Sequence, residues 1–385
     1  MLKARARGRA GFPMWLVIAL SILLLAAGIA EEIRLRRLSD RVPLRILVNG
    51  TRGKSSVTRM LVAALNGCGI RTSGKTTGSA ARFIFPDLSE EDVPRKRGMM
   101  MVAEHTLLFK NAVEHGSQAI VCECMAIREE NQQVVGSRLV RPSITIITNA
   151  RPDHIDLMGK TSEETARVLC KSIGPSEDVF TSDHTVEAEL AAAAEDGGVR
   201  IHFAATVEEK GKDVLNKCSF RVHEENLALV LAVCRHLGLD DGKVLESVTR
   251  AVPDPGMTDI LEVDGHTVVN GFAANDPESA KRLFEGRDIR DVTVVYNNRA
   301  DREFRLPMFR DLLAEMEVDD IVVTGDNTGK CRRMFEKAIP GCNVRVVGKD
   351  GIGMAVLDSC RHDVVCMGNI KGAGERMLEV FGNAV

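Results

Sequence analysis

Residues 46–56 read Ile46-Leu-Val-Asn-Gly-Thr-Arg-Gly-Lys-Ser-Ser56, an apolar run that ends in a glycine-containing turn and passes straight into a helical pattern. Ile46, Leu47 and Val48 predict a short buried strand. Gly50 and Gly53 let the backbone curl, and Lys54 and Ser55 supply an ammonium and a hydroxyl. Val57, Met60, Leu61, Ala64 and Leu65 then recur at helical spacing before Gly67 and Gly69. A helix starting at Lys54 aims unpaired N–H groups at whatever the turn holds, which suits a polyphosphate. The spacing is shorter than a full Walker A motif, because the position five residues before Gly53 is Val48, not glycine. Strand, turn and helix together predict a nucleotide-phosphate site at Gly50, Thr51, Arg52, Gly53, Lys54, Ser55 and Ser56.

Working outward, the chain changes character toward its N-terminus. No charge occurs between Arg9 and Glu31, and residues 14–30 read MWLVIALSILLLAAGIA. With Phe12 and Pro13 this reaches the roughly 18 apolar residues of a membrane span. Lys3, Arg5, Arg7 and Arg9 also make a basic start, and Gly28-Ile29-Ala30 would pass as a signal-peptidase site. Export would strand a nucleotide site where there is no nucleotide, so a retained anchor is expected, with the remainder of the chain on the cytoplasmic side. Arginines at 34, 36, 37 and 41 balance those before the apolar run, so charge alone does not set the orientation.

The 385 residues are 44% hydrophobic and 27% charged with a net charge of −3, an ordinary globular balance that gives no electrostatic case for nucleic acid. One Trp and one Tyr leave little for base stacking. Ten cysteines show no CxxC pair, and Cys122 and Cys124 fall in an apolar strand, as expected of reduced core thiols.

Residues 31–43 read as a charged linker and 87–97 as an exposed, mobile stretch. Strand patterns at 118–124 and 143–149 alternate with helical ones at 163–172, 184–194 and 224–237, which predicts a parallel sheet covered by helices. Pro253-Asp-Pro-Gly256 marks a boundary. Beyond it, Asp264-Gly265 joins two short strands as a hairpin, and four more strands at 292–296, 320–324, 344–347 and 363–367 alternate with helices. The expected architecture is α/β throughout: an anchor and linker at 1–40, a nucleotide-binding domain at 41–252, and a smaller α/β domain at 253–385.

Strands of an open α/β sheet present their carboxyl ends to the ligand crevice. Glu123 stands at such an end, where a carboxylate has no packing reason to be, and is the best candidate to join Ser55 in holding a divalent cation. Asn149, Asp153, His154 and Asp156 follow the next strand to the same edge. Gly74-Lys-Thr-Thr-Gly-Ser79 is a small polar segment carrying Lys75, Thr76 and Thr77; substrate approach and a surface loop both stay open for it. Arg299, Asp301 and Arg302 stand on a loop after a strand, where gripping an anion and simple solvation are equally open. Lys371-Gly-Ala-Gly374 starts the last helix, either as an anion site or as a plain helix start.

GTRGKSS, Glu123, the turn TNARPDHIDLMG and the helix VHEENLALVLAVCRHLG together resemble the Mur ligase superfamily, which includes folylpolyglutamate synthetase. SGKTTGSAARFIF, VCECMA, PDPG, VVNGFAANDP, NNRADR and MGNIKGAGE narrow the resemblance to its membrane-anchored branch, the catalytic ligase subunits of capsular poly-γ-glutamate synthases. The resemblance runs from the apolar segment to the last helix. It implies a Mur-ligase-like central domain, a Rossmann-like C-terminal domain, and an ATP- and Mg²⁺-dependent ligase. In that reaction the γ-phosphate of ATP passes to a glutamate γ-carboxylate to give an acyl phosphate, which a second glutamate's amine attacks. Lys54, Glu123 and His154 would be catalytic, with Mg²⁺ on Ser55 and Glu123 and a second Mg²⁺ on His154. Asn226 matches the asparagine that reaches the adenine, and Asn270, Asn275 and Asp276 match a segment that closes over the nucleotide. Substrate contacts would fall to Lys75, Thr76, Thr77, Arg299, Asp301 and Arg302. The implied partners are glutamate, the growing poly-γ-glutamate chain and integral membrane subunits that export it; a homo-oligomer is also compatible.

The sequence departs from the superfamily in two places. The position that best matches its carbamylated lysine is Leu169, with Lys171 two residues away, and its proline-glycine-arginine is Pro255-Gly256-Met257 here. Two other readings remain at this stage: another Mur-type amino-acid ligase, or a nucleotide-binding regulatory subunit of a membrane complex. Glutamate-dependent release of ADP separates the last from any ligase of glutamate.

Overall fold

The structure is a computed structural model, described for residues 14–78, 81–94, 103–215, 223–253, 259–272, 274, 280–284, 286–303, 305–348 and 354–382. It opens with helix α1 (Met14–Ser39), whose most apolar 18-residue window has a mean hydropathy of 2.2 and is not buried. That helix is long and apolar enough to cross a membrane, a test that a signal sequence also passes. Residues 31–39 are not the linker expected from their charge; they continue α1. Leu35 on the far end of the helix is buried with Val42 in a cluster that also holds Leu108 and Phe109. The charges belong to the helix's solvent side, where Arg36 pairs with Glu32 at 2.7 Å.

Among the described residues, fourteen strands follow in two sheets. The first contains β1 (Leu44–Asn49), β2 (Thr72–Thr76), β3 (Arg82–Ile84), β4 (Glu90–Asp92), β5 (Ala119–Glu123), β6 (Ile144–Ile147), β7 (Asp178–Thr181) and β8 (Arg200–Phe203). Its order is β4-β3-β2-β5-β1-β6-β7-β8, parallel apart from the antiparallel β3 and β4. Around it lie α2 (Lys54–Gly67), α3 (Ala103–Glu114), α4 (Glu129–Val134), α5 (Ile155–Met158), α6 (Ser162–Cys170), α7 (Glu187–Gly197), α8 (Glu209–Leu215), α9 (Glu224–His236) and α10 (Asp241–Val248). A turn of π-helix, Val135–Val140, continues α4. The second sheet comprises β9 (Asp259–Val263), β10 (His266–Asn270), β11 (Val292–Asn298), β12 (Asp320–Gly325), β13 (Asn343–Val346) and β14 (Asp363–Gly368). Its order is β13-β12-β11-β14-β10-β9, parallel except for the β9–β10 hairpin. Asp264 and Gly265 at the hairpin tip both have positive φ, 50° and 80°, as a two-residue primed turn requires. Residues 254–258, where the domain boundary was expected, lie outside the described residues.

α2 is buried from Ser56 to Leu65 because the sheet covers one side while α9 and α10 pack on the other. One charge is buried with it. Arg59 is paired with Glu90 on β4 and donates to the Val252 carbonyl at 3.1 Å. Residues 87–94 are largely exposed, as expected, and β4 ties them to the phosphate-loop helix; 95–97 lie outside the described residues.

Residues 74–76, for which substrate approach and a surface loop both stayed open, lie in β2 and are buried at every position. Their polarity misleads because the polar side chains of Ser73 and Lys75 find internal partners, while Thr76 Oγ1 is buried without one. Ser73 Oγ meets Ser117 Oγ at 2.8 Å, and Lys75 Nζ lies 3.0 Å from Glu104. Gly74 serves close packing, since a Cβ there would lie 2.6 Å from Val62 Cγ2. Gly74→Ala is expected to lower stability by about 1–3 kcal/mol through overpacking against α2, read as a fall in melting temperature.

Candidate active site

The phosphate loop hangs from the carboxyl end of β1, between β5 and β6. Val48 pairs in register with Glu123 and Asn49 with Ile147, so the two flanking strands deliver Glu123 and Thr148-Asn149 beside the loop. Gly50 (φ 126°) and Gly53 (φ 82°) occupy conformations that side chains rarely adopt. Space excludes a side chain as well: a Cβ on Gly50 would lie 2.1 Å from Thr148 Oγ1, and one on Gly53 2.5 Å from Asn226 Oδ1.

Asn149 pins the loop. Its Oδ1 accepts from Thr51 Oγ1 at 2.7 Å and from the Arg52 N–H at 3.1 Å, while its Nδ2 donates to the Arg52 carbonyl at 3.0 Å. Thr148 Oγ1 donates to that same carbonyl at 2.6 Å. Residues expected to meet ligand at this edge are thus partly scaffold. A residue that the sequence reading passed over does the same from below: Asn49 Oδ1 accepts from the Gly50 N–H at 2.8 Å, and its Nδ2 donates to Gln132 Oε1 and Ser172 Oγ at 2.8 and 2.7 Å. The available signal was an amide at the last position of a buried strand.

Gly53 takes the N-cap position of α2 and brings no side chain to cap it, which leaves first-turn N–H groups for an anion. Lys54 Nζ folds over the loop and donates to the Gly50 carbonyl at 2.6 Å. Ser56, expected at the phosphates, is buried in the first turn of α2. Ser55 is the serine that faces the mouth: its Oγ donates to Glu123 Oε2 at 2.9 Å. The Thr77 N–H donates to the same oxygen at 2.7 Å. Glu123 is only 3% exposed, so it is no solvated edge residue.

These two oxygens fit Mg²⁺. Adjacent ligands of an octahedral ion with bonds of about 2.0–2.1 Å stand about 2.9 Å apart, the separation found between Ser55 and Glu123. Glu123→Gln keeps the shape and removes the charge. It is expected to slow ATP turnover by about a hundredfold and to raise the Mg²⁺ concentration needed for half-maximal rate; an unchanged Mg²⁺ dependence would place the ion elsewhere.

The structure distributes the other expected residues less evenly. Asp153 Oδ2 reaches Arg52 at 3.8 Å, which draws the turn after β6 toward the loop. His154 heads α5 in a left-handed conformation (φ 46°) and is exposed. Asn226 is buried in the first turn of α9 against Gly53, near the loop itself. Lys75 is 0% exposed and ion-paired with Glu104, and Thr76 is buried, so neither is open to substrate here; Thr77 is the part of that segment that reaches Glu123. Leu169 lies in the core and Lys171 pairs with Glu129 at 3.4 Å. In the second sheet, Asn270 is buried at the end of β10. Arg299 and Arg302 flank a short 3-10 turn after β11, where Asp326 accepts from the Ala300 N–H at 3.0 Å. Asn275, Asp276 and the side chain of Asp301 lie outside the described residues. The nine described cysteines are free, and burial pushes Cys122 up to about 12 and Cys124 to about 11, so these thiols stay protonated.

Residues 48–234 match the Mur ligase middle domain, and residues 260–384 match the poly-gamma-glutamate synthase CapB C-terminal domain. PGA synthase CapB of Bacillus subtilis (strain 168) is 33% identical over 95% of this chain and 97% of its own length. The chain belongs to the poly-γ-glutamate synthase CapB family. The fold of this CapB family member is also that of folylpolyglutamate synthase from Thermotoga maritima, with a TM-score of 0.68 at 15% identity, covering 95% of this chain and 98% of that one. A bifunctional folylpolyglutamate synthase/dihydrofolate synthase, solved with Mn, AMPPNP and L-glutamate bound, aligns with a TM-score of 0.64 at 16% identity over 90% of this chain and 93% of its own. Membership of the CapB family makes the protein an ATP-dependent Mur-type ligase.

Proposed function

We propose that the protein polymerises glutamate through γ-carboxyl amide bonds, at the expense of ATP, for capsular or secreted poly-γ-glutamate. The observation that carries this reading is the full-length likeness to PGA synthase CapB, which spans both sheets. ATP's γ-phosphoryl passes to a γ-carboxylate, the amine of another glutamate displaces phosphate, and ADP, phosphate and the amide remain. Mg²⁺, when bound, supplies charge neutralisation for the transfer. The chain's part is placement. Backbone N–H groups from Gly53 to Ser55, at the start of α2, cradle the phosphates, and Lys54 leaves the Gly50 carbonyl to meet them. Ser55 and Glu123 hold the ion, with Thr77 N–H keeping the carboxylate aimed. His154 would hold a second ion, and Asn226 would face the nucleotide from α9. Asn270 would close over it, and Arg299 and Arg302 would bind the anionic acceptor.

The apolar part of α1 anchors the enzyme in the cell membrane with both sheets in the cytoplasm, where ATP is, beside integral membrane subunits that export the polymer. The test is ADP release by the full chain in membranes with those subunits, with and without glutamate. Release that requires glutamate and yields a γ-linked product supports the reading. Release indifferent to glutamate from a folded, assembled preparation would overturn it in favour of another acceptor or a nucleotide switch.

A further inference from the structure

Among the described residues, one group away from the phosphate loop brings three metal-ligating side chains together. Asp178 opens β7, His202 lies on β8 and His236 ends α9, with ligand atoms all within 4.8 Å of one another. β7 runs parallel to β6 and β6 to β1, so Asp178, at the amino end of its strand, stands on the rim opposite the loop.

The buried Asp178 is unusually well supplied with partners. Arg200 takes it as a fork, Nε to Oδ1 at 2.8 Å and Nη2 to Oδ2 at 2.7 Å. That alone balances its charge. Two imidazoles are then added: His202 Nε2 at 2.7 Å from Oδ1 and His236 Nε2 at 3.3 Å from Oδ2. A carboxylate has about four acceptor positions, so the arginine fork leaves one on each oxygen, and each oxygen has a histidine nitrogen beside it. Phe180 holds both rings, stacking on His202 at 4.5 Å with 12° between planes and meeting His236 edge-on at 5.4 Å. Nothing in the ligase reaction uses these groups.

Two imidazole nitrogens and one carboxylate are the donor set of an open zinc-type site with three protein ligands and one position left for water. A tetrahedral ion with bonds of about 2.0–2.1 Å keeps its ligand atoms about 3.3 Å apart. His236 already stands 3.3 Å from Asp178 Oδ2, His202 has to draw back from its 2.7 Å contact with Oδ1, and the three ligand atoms, within 4.8 Å of one another, have to close around one ion. We propose that Asp178, His202 and His236 bind a divalent transition cation of the zinc class, with Arg200 as the outer partner that fixes the carboxylate. The ion would cross-link β7, β8 and the end of α9, the helix whose other end carries Asn226 beside Gly53.

The probe is Zn²⁺, titrated calorimetrically into the detergent-solubilised full chain in a large excess of Mg²⁺, which occupies the oxygen-donor site at Ser55 and Glu123. The expected result is one Zn²⁺ bound per chain, weakened by about tenfold or more in both His202→Ala and His236→Ala, with the zinc-induced rise in melting temperature lost in both. His236 is on the surface, so its variant tests binding without risking the fold. Both variants are expected to keep glutamate-dependent ADP release. Zinc binding that survives both substitutions, or no binding that resists Mg²⁺, overturns the proposal and leaves the cluster as an ion-paired anchor for α9.

Discussion

Lys54→Ala is expected to cut glutamate-dependent ADP release by about a thousandfold while leaving the melting temperature nearly unchanged. The two halves of that expectation have different causes. Stability is spared because the Lys54 side chain is half-exposed and its hydrogen bonds go to loop carbonyls, Gly50 at 2.6 Å and Thr51 at 3.3 Å, that water reaches once the ammonium is gone. Activity is not spared, because the ammonium is a full positive charge at the start of α2, and charge builds on the phosphoryl oxygens during transfer. Isotopic assay of ADP release, with binding of an ATP analogue measured separately, distinguishes lost affinity from lost turnover. A variant that turns over normally would remove the loop from the reaction.

The second large effect is on stability. Lys75→Ala is expected to cost about 3–5 kcal/mol, because it leaves Glu104 buried without its ammonium. Both side chains are almost wholly out of water, at 0% and 2% exposure, so neither can be rescued by solvent. Replacing both partners with apolar residues of similar volume, Lys75→Met with Glu104→Leu, is expected to recover most of that loss. Thermal melts of the two single variants and the double variant in detergent decide the matter. Equal losses that simply add would mean the pair is not coupled.

Lys75 also shows where reading the sequence fails. Glycine, lysine and threonine in a row look like a ligand-facing loop, and nothing local says that Glu104, 29 positions later, turns the lysine inward. The linker at 31–39 fails for a related reason: its arginines line a helix whose buried side is carried by Leu35 and Ser39 alone. What was legible was what periodicity and strand ends report. The β1 loop, the alternation of strands and helices, the Asp264-Gly265 hairpin and the Ser55–Glu123 pairing all rest on local pattern or on parallel register. The scaffold beneath the loop was harder to see, because Asn49, Gln132 and Ser172 meet only through packing between distant segments.

The unbroken course of α1 carries a mechanical consequence. A flexible tether would let the enzyme tumble beneath the lipid surface and shed its product in any direction. Here the apolar segment and the buried Leu35 belong to one helix, so residues 31–39 act as a strut of about 13 Å. With the apolar segment seated in a bilayer, as proposed above, the strut would hold the catalytic body at one height, and a growing polymer would leave it at a constant distance from the lipid.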